Sequence, residues 1–231
     1  MIENVIFDLD GTLVDSVAIS VEILNEMLAD RGSDRMLLAT EAGPHLSLGG
    51  APMVAALLGE ECGCPDTEIL EFRRRYADRP TPASSLFDGV RDGLTALRAL
   101  GLRLAICSNK PQNLCEKVLT DLGLHSLFDA IVGGAVGRRP KPEPDLMHMT
   151  LAKIGATPES CVFVGDSELD YAVAVACGVP FKLVNYGYAG AHEAFHGVSR
   201  FDHFSEAVSA IIEDRRMSQK IWIGAERRAQ R

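Results

Sequence analysis

Most of this chain alternates short apolar runs with amphipathic stretches that stop at a glycine, and that rhythm restricts the fold more than any other feature. Apolar runs at 5–8, 102–108, 130–133, 161–165 and 181–185 have the length and β-branched content of buried strands. Helical patterns at 88–100, 111–122, 143–154 and 168–177 lie between them, each followed by a glycine suited to a left-handed cap: Gly101, Gly123, Gly155 and Gly178. Strands alternating with such helices predict an α/β fold with a doubly wound, Rossmann-like parallel sheet. Residues 16–85 break the rhythm. They hold helical patterns at 17–30 and 66–78, apolar segments at 37–42 and 53–58, a Gly-Pro-rich stretch at 43–52, and no convincing strand. The expected division is therefore a core of 1–15 and 86–214, an all-helical insertion of 16–85 joined through linkers at 13–16 and 79–86, and a basic tail of 215–231.

The first apolar run ends abruptly at Asp8 and Asp10, followed by Gly11. Two acids one residue apart on an extended segment point to opposite faces, but Gly11-Thr12 takes the chain out of the strand, so both can turn toward one site. A close acid pair repels itself unless a cation or a shared proton compensates. The pair predicts a metal-dependent site at the C-terminal edge of the sheet, where open α/β sheets bind ligands.

Three further clusters follow at the ends of later strands. Ser108-Asn109-Lys110 offers a hydroxyl and the N–H groups of a starting helix, which suit an anion; taken alone it reads as a plain helix cap, and Lys110 reads equally as solvated surface. Lys141 stands between Pro140 and Pro142, whose fixed φ stiffens its approach, while Arg138 and Arg139 read as solvated. Gly165-Asp166-Ser167-Glu168-Leu169-Asp170 places Asp166 and Asp170 four apart at a helix start, on one face and favoured by the helix dipole.

The nine residues from Asp8 to Ser16, then Ser108-Asn109-Lys110, Lys141-Pro142-Glu143-Pro144 and the Gly165–Asp170 segment resemble, in order, the four motifs of the haloacid dehalogenase superfamily of phosphotransferases. The resemblance implies that Asp8 attacks phosphorus to form an aspartyl-phosphate and that Asp10 is the general acid/base. It implies that Gly11, Thr12, Ser108 and Asn109 bind phosphate and that Lys141 supplies positive charge. It also implies that Asp8, Asp166 and the main-chain carbonyl of Asp10 hold Mg²⁺, with Asp170 and Ser167 behind them; hard oxygen donors suit that ion. Asn185-Tyr186-Gly187-Tyr188 and the placement of the helical cap resemble the phosphoglycolate phosphatase-like subgroup, which also contains sugar-phosphate phosphatases and β-phosphoglucomutase. The expectation is a Mg²⁺-dependent phosphatase acting on a small phosphomonoester of phosphoglycolate or sugar-phosphate type. A phosphomutase of the β-phosphoglucomutase type, or a non-catalytic protein that binds a phosphorylated ligand, are the alternatives. The intact acid cluster weighs against the last, because an idle protein has no physical need of it.

The segment 43–50, where a specificity loop should lie, contains no Arg or Lys; His45 and Ser47 are its polar side chains. That favours a neutral, hydroxyl-rich leaving group and makes His45 a candidate substrate contact. Arg73-Arg74-Arg75 reads as a solvated helix face, although one member could serve the missing cationic role. The net charge is −9, and since 215–231 carries +5, the remainder carries −14, which argues against nucleic acid as a ligand. Apolar runs fall short of the roughly 18 residues that span a bilayer, and the start lacks a basic-then-apolar signal. A cytoplasmic enzyme is expected, monomeric or homodimeric, with a small phosphorylated metabolite as its partner and no membrane. Six scattered cysteines include Cys107 and Cys161 in strand-like runs, read as buried thiols; Cys62-Gly63-Cys64 lacks the second pair of a metal site.

Overall fold

A computed structural model describes residues 1–46, 48–188, 195 and 197–229, with the side chains of 220–229 excluded. Its centre is a six-stranded parallel sheet in the order β3-β2-β1-β4-β5-β6. The strands are β1 (Asn4–Phe7), β2 (Arg103–Pro111), β3 (Ala130–Gly134), β4 (Cys161–Gly165), β5 (Phe181–Val184) and β6 (Arg200–Phe201). The helices are α1 (Val17–Ala29), α2 (Ala39–Leu46), α3 (Gly50–Leu58), α4 (Pro65–Ala77), α5 (Val90–Ala99), α6 (Gln112–Asp121), α7 (Asp145–Ile154), α8 (Glu168–Cys177) and α9 (Phe204–Ala229). Alternation along each central strand sorts side chains between two faces. Val5, Phe7, Leu104, Ile106 and Val164 enter one apolar cluster, and Ile6, Ala105, Cys107 and Phe163 enter the other. Burial on both faces is why these strands read as continuous apolar runs.

Among the described residues between β1 and α5, the regular elements are helices and short 3₁₀ turns. Their buried side chains, such as Leu24 and Leu28 of α1, Leu57 of α3 and Phe72 of α4, belong to the same apolar cluster as the first face of the sheet. The two chain crossings between this helical unit and the sheet run side by side: Asp15 N–H donates to Ser85 O (2.7 Å), Phe87 N–H donates to Leu13 O (3.2 Å), and Val14 pairs with Leu86 in an antiparallel bridge.

The structure differs from the sequence reading in three places. Gly43 and Pro44 lie inside α2 and not in a loop; the helix is short, and the missing Pro44 N–H costs one bond of an eight-residue element. The two-residue edge strand β6 is too short to leave a periodic signal. α9 passes through 215 without a break, with Arg215 donating to Leu100 O at 2.7 Å, so the basic segment continues a core helix. The side chain of Trp222 in that segment lies outside the described residues. All six cysteines are free. Among the described residues no helix is long and apolar enough to cross a membrane.

Candidate active site

β1 is paired on one side with β2 (Phe7 with Ile106) and on the other with β4 (Phe7 with Val164). That register brings Asp8, just past the end of β1, and Asp166, just past the end of β4, alongside Ser108, which lies within β2. All three are buried, as are Lys141 and Asp170. Oxygens of Asp8, Asp166 and Asp170 lie within 4.8 Å of one another. Lys141 Nζ sits among them, donating to Asp8 Oδ1 (2.7 Å), Asp170 Oδ1 (2.5 Å) and Cys107 O (3.0 Å). An ammonium has three donors, and all three are used.

Burial pushes the Asp8 carboxyl up to about 6, against the lowering effect of Lys141 and with a further rise from the Asp170 charge. Burial also raises Asp166 well above the usual carboxylate range, reinforced by Asp170 and Asp8. For Lys141, burial works against the charge, but Asp170 and Asp8 outweigh it and hold the ammonium above its ordinary value. Three carboxylates around one ammonium leave negative charge uncompensated, and an oxygen-only donor set suits a hard divalent cation. The residues present fit such an ion. Asp170 is committed on both oxygens, since its Oδ2 accepts from Ser167 Oγ (2.6 Å) and Ser167 N–H (3.1 Å) in a capping box that starts α8. Asp8 and Asp166 line the adjoining cavity and Asp170 does not.

Two glycines allow this closeness. Gly11 has φ +82°, and a Cβ there would come within 2.2 Å of Asp166 Oδ2. A Cβ on Gly187 would meet the same oxygen at 2.3 Å and Gly11 O at 2.4 Å. Asp166 is thereby held by the chain on both sides, accepting from Tyr188 N–H (2.7 Å) and Thr12 Oγ1 (3.3 Å).

The cavity above the cluster has a volume of about 380 Å³. Asp8, Asp10, Ser108, Asn109, Lys141, Asp166 and Ser167 line its floor, and side chains of α3 and α4 line its roof. Asn109 also fixes the lysine loop: its Nδ2 donates to Lys141 O (3.0 Å) and its Oδ1 accepts from Lys141 N–H (2.7 Å). Three expected phosphate or substrate contacts lie elsewhere. The Gly11 N–H is spent on Val14 O (2.9 Å). Thr12 is fully buried, with its hydroxyl turned to Asp166. His45 is exposed on α2 and is not among the residues lining the cavity. Ser47 lies outside the described residues.

Some participants are not evident from the sequence. Lys110 is a buried bridge, not a solvated lysine: its Nζ holds both oxygens of Asp10 (3.1 and 3.0 Å) and lies 4.1 Å from the centroid of the Tyr76 ring of α4. Burial opposes its charge, and Asp10 more than restores it. The Tyr188 hydroxyl accepts from Ser16 N–H at 2.6 Å, tying the loop after β5 to the start of the helical unit. The available signals are the position of Lys110 directly after Asn109 and the aromatic pair flanking Gly187.

A family model described as haloacid dehalogenase-like hydrolase matches residues 5–184. A plasmid-encoded phosphoglycolate phosphatase of Cupriavidus necator is 36% identical over 219 residues, covering 93% of this chain and 94% of that protein. The crystal structure of a predicted phosphoglycolate phosphatase from Haemophilus somnus 129PT superposes with a TM-score of 0.76 at 28% identity, covering 90% of this chain and 97% of that one. CbbY from Rhodobacter sphaeroides, solved in complex with phosphate, gives 0.72 at 26% identity, covering 89% and 96%.

Proposed function

The chain belongs to the haloacid dehalogenase-like hydrolase family, and on that premise we propose that it is a Mg²⁺-dependent phosphatase that hydrolyses a small phosphomonoester, of phosphoglycolate or sugar-phosphate type, through an aspartyl-phosphate. The observation that carries this reading is the buried cluster of Asp8, Asp166 and Asp170 around Lys141, open to a cavity that also holds Asp10.

Asp8 is the nucleophile. With its carboxyl at about 6 it is mostly ionised at neutral pH, and Lys141 holds Oδ1 in place. An Asp8 oxygen forms the new bond to phosphorus as the bond to the leaving oxygen breaks, and that oxygen takes a proton from Asp10. In the second half, water attacks the aspartyl-phosphate and gives a proton to Asp10, releasing inorganic phosphate and restoring the Asp8 carboxylate. Asp10 keeps one oxygen on Lys110 and turns the other, which carries the proton in the first half of the reaction, to the leaving oxygen. Ser108 donates to a phosphoryl oxygen, and Asn109 keeps Lys141 in register. Asp8, Asp166 and the main-chain carbonyl of Asp10 would hold Mg²⁺, which when bound would neutralise charge on the phosphoryl oxygens. The helical unit of 16–85 serves as the cap that keeps bulk water off the site.

The test is phosphate release from a panel of phosphomonoesters with Mg²⁺. The wild-type protein should turn over at least one ester, and Asp8→Asn should lower its kcat by about 10³-fold or more. Turnover that survives in Asp8→Asn removes that residue from the nucleophile's place. Failure to hydrolyse any ester removes the phosphatase reading.

A further inference from the structure

One face of α4 looks into the cavity. Ile69, Phe72, Arg73 and Tyr76 all line it, and their spacing of three, four and seven residues places them on a single helical stripe. Three members of that stripe are apolar or aromatic, as expected for a helix that roofs a cavity; the fourth is a cation. The neighbouring arginines are fully engaged elsewhere. Arg74 pairs with Glu71 (2.8 Å) and Asp78 (3.0 Å), Arg75 pairs with Glu71 (2.7 Å) and Asp30 (2.5 Å), and Arg79 pairs with Glu26. Of the cations lining the cavity, Lys141 is saturated by Asp8, Asp170 and Cys107 O, and Lys110 is paired with Asp10. Arg73 makes no hydrogen bond or ion pair among the described residues. It is half-buried, and burial alone lowers its pKa, with no acid to offset the loss of water. A guanidinium placed unpaired on an apolar stripe is costly unless an anion arrives to meet it, and its planar fork matches a carboxylate or phosphoryl group in two-point contact.

We propose that Arg73 is a specificity-determining residue that receives a second anionic group, carboxylate or phosphoryl, at the end of the substrate remote from the scissile phosphate. The proposal rests on the phosphatase reading above and narrows its substrate. The absence of Lys and Arg from 43–50 does not imply a neutral leaving group, because the cation is supplied by the next-but-one helix. The reacting phosphate meets Asp8 and Lys141 on the floor, and the second anion meets Arg73 on the roof, so only a substrate charged at both ends ties α4 down onto the core.

The experiment compares esters that differ in the remote group alone. One pair is 2-phosphoglycolate and 2-hydroxyethyl phosphate; the other is propane-1,3-diol bisphosphate and its monophosphate. Wild-type protein should favour the doubly anionic member of at least one pair in kcat/KM, and the pair that shows the larger preference identifies carboxylate or phosphoryl as the natural group. Arg73→Gln should lower that preference about tenfold or more, mainly through KM, and Arg73→Lys should restore part of it. A preference unchanged in Arg73→Gln overturns the proposal, whether both rates fall together or neither moves. If wild-type protein turns over none of these esters nor p-nitrophenyl phosphate, the phosphatase reading fails by itself. Calorimetric binding of the same pairs to wild type and Arg73→Gln then decides the role of Arg73: selective loss for the doubly anionic ligand upholds it, and equal binding by the two proteins refutes it.

Discussion

Replacing Lys141 with Met removes the only ammonium hydrogen-bonded to Asp8 and Asp170 among the described residues, while keeping a side chain of similar length against the ring of Phe163, 5.6 Å from Lys141 Nζ. Each of the two carboxylate contacts, at 2.7 and 2.5 Å, has a gross attraction of about 6 kcal/mol at an effective dielectric of ~20. Burying the ammonium offsets most of that sum, and breaking a buried pair from one side costs ~3–5 kcal/mol. For a protein of this size the melting temperature should fall by on the order of 10 °C. The pH dependence follows from Asp8. Its folded-state carboxyl lies near 6, raised by burial, so its contribution to stability is fully present below the ordinary carboxyl range and is lost as pH rises through about 6. Without Lys141 that carboxyl moves higher still, and the loss deepens. At pH 5 Asp8 is protonated in both proteins and its pairing with Lys141 no longer counts. Urea denaturation in the presence of a chelator should therefore show the larger deficit at pH 7.5 and a clearly smaller one at pH 5. A deficit under about 1 kcal/mol at pH 7.5, or one that is equal at the two pH values, refutes the reasoning.

Three other outcomes are expected. Gly187→Ala places a methyl group 2.3 Å from Asp166 Oδ2, which should cost ~1–3 kcal/mol and weaken divalent-ion affinity in a calorimetric titration; unaltered affinity would show that Asp166 can move aside. Mg²⁺ added to chelator-treated protein should raise the melting temperature, by an amount equivalent to ~2.7 kcal/mol at a hundred times the dissociation constant, and the absence of any shift would count against a metal centre. Ser167→Ala removes both halves of its bond to Asp170 and should cost ~0.5–2 kcal/mol as a lost helix cap, measured by denaturant unfolding, with hydrogen exchange rising first in α8.

The central architecture was legible because β1 and β4 are buried on both faces and must be apolar throughout, and because Gly155 and Gly178 stop their helices in left-handed conformations. The acids were legible because chemistry concentrates them in short windows at strand ends. What escaped is what depends on partners far away in the chain. Lys110 looks like any surface lysine until Asp10, a hundred residues earlier, and Tyr76 close over it. Arg73-Arg74-Arg75 reads as one basic face, yet successive helix positions turn by about 100°, and only the register with Ile69, Phe72 and Tyr76 separates the inward arginine from its neighbours. Gly43 and Pro44 suggest a loop by composition, whereas packing around Ala42 draws them into α2.

The paired crossings between sheet and helical unit give the two acids that follow β1 different mechanical standing. Asp8 is locked to β4 by its own N–H on Val164 O, and so moves only if the sheet moves. Asp10 is bridged to Val14, and Val14 to Leu86, so it belongs to the two-stranded strap through which both ends of the helical unit leave the core. The backbone that joins the unit to the core therefore passes beside Asp10, while Asp8 stays with the sheet. In the proposed mechanism the attacking group thus rests on the sheet and the proton carrier on the short stretch of backbone that joins the roof to it.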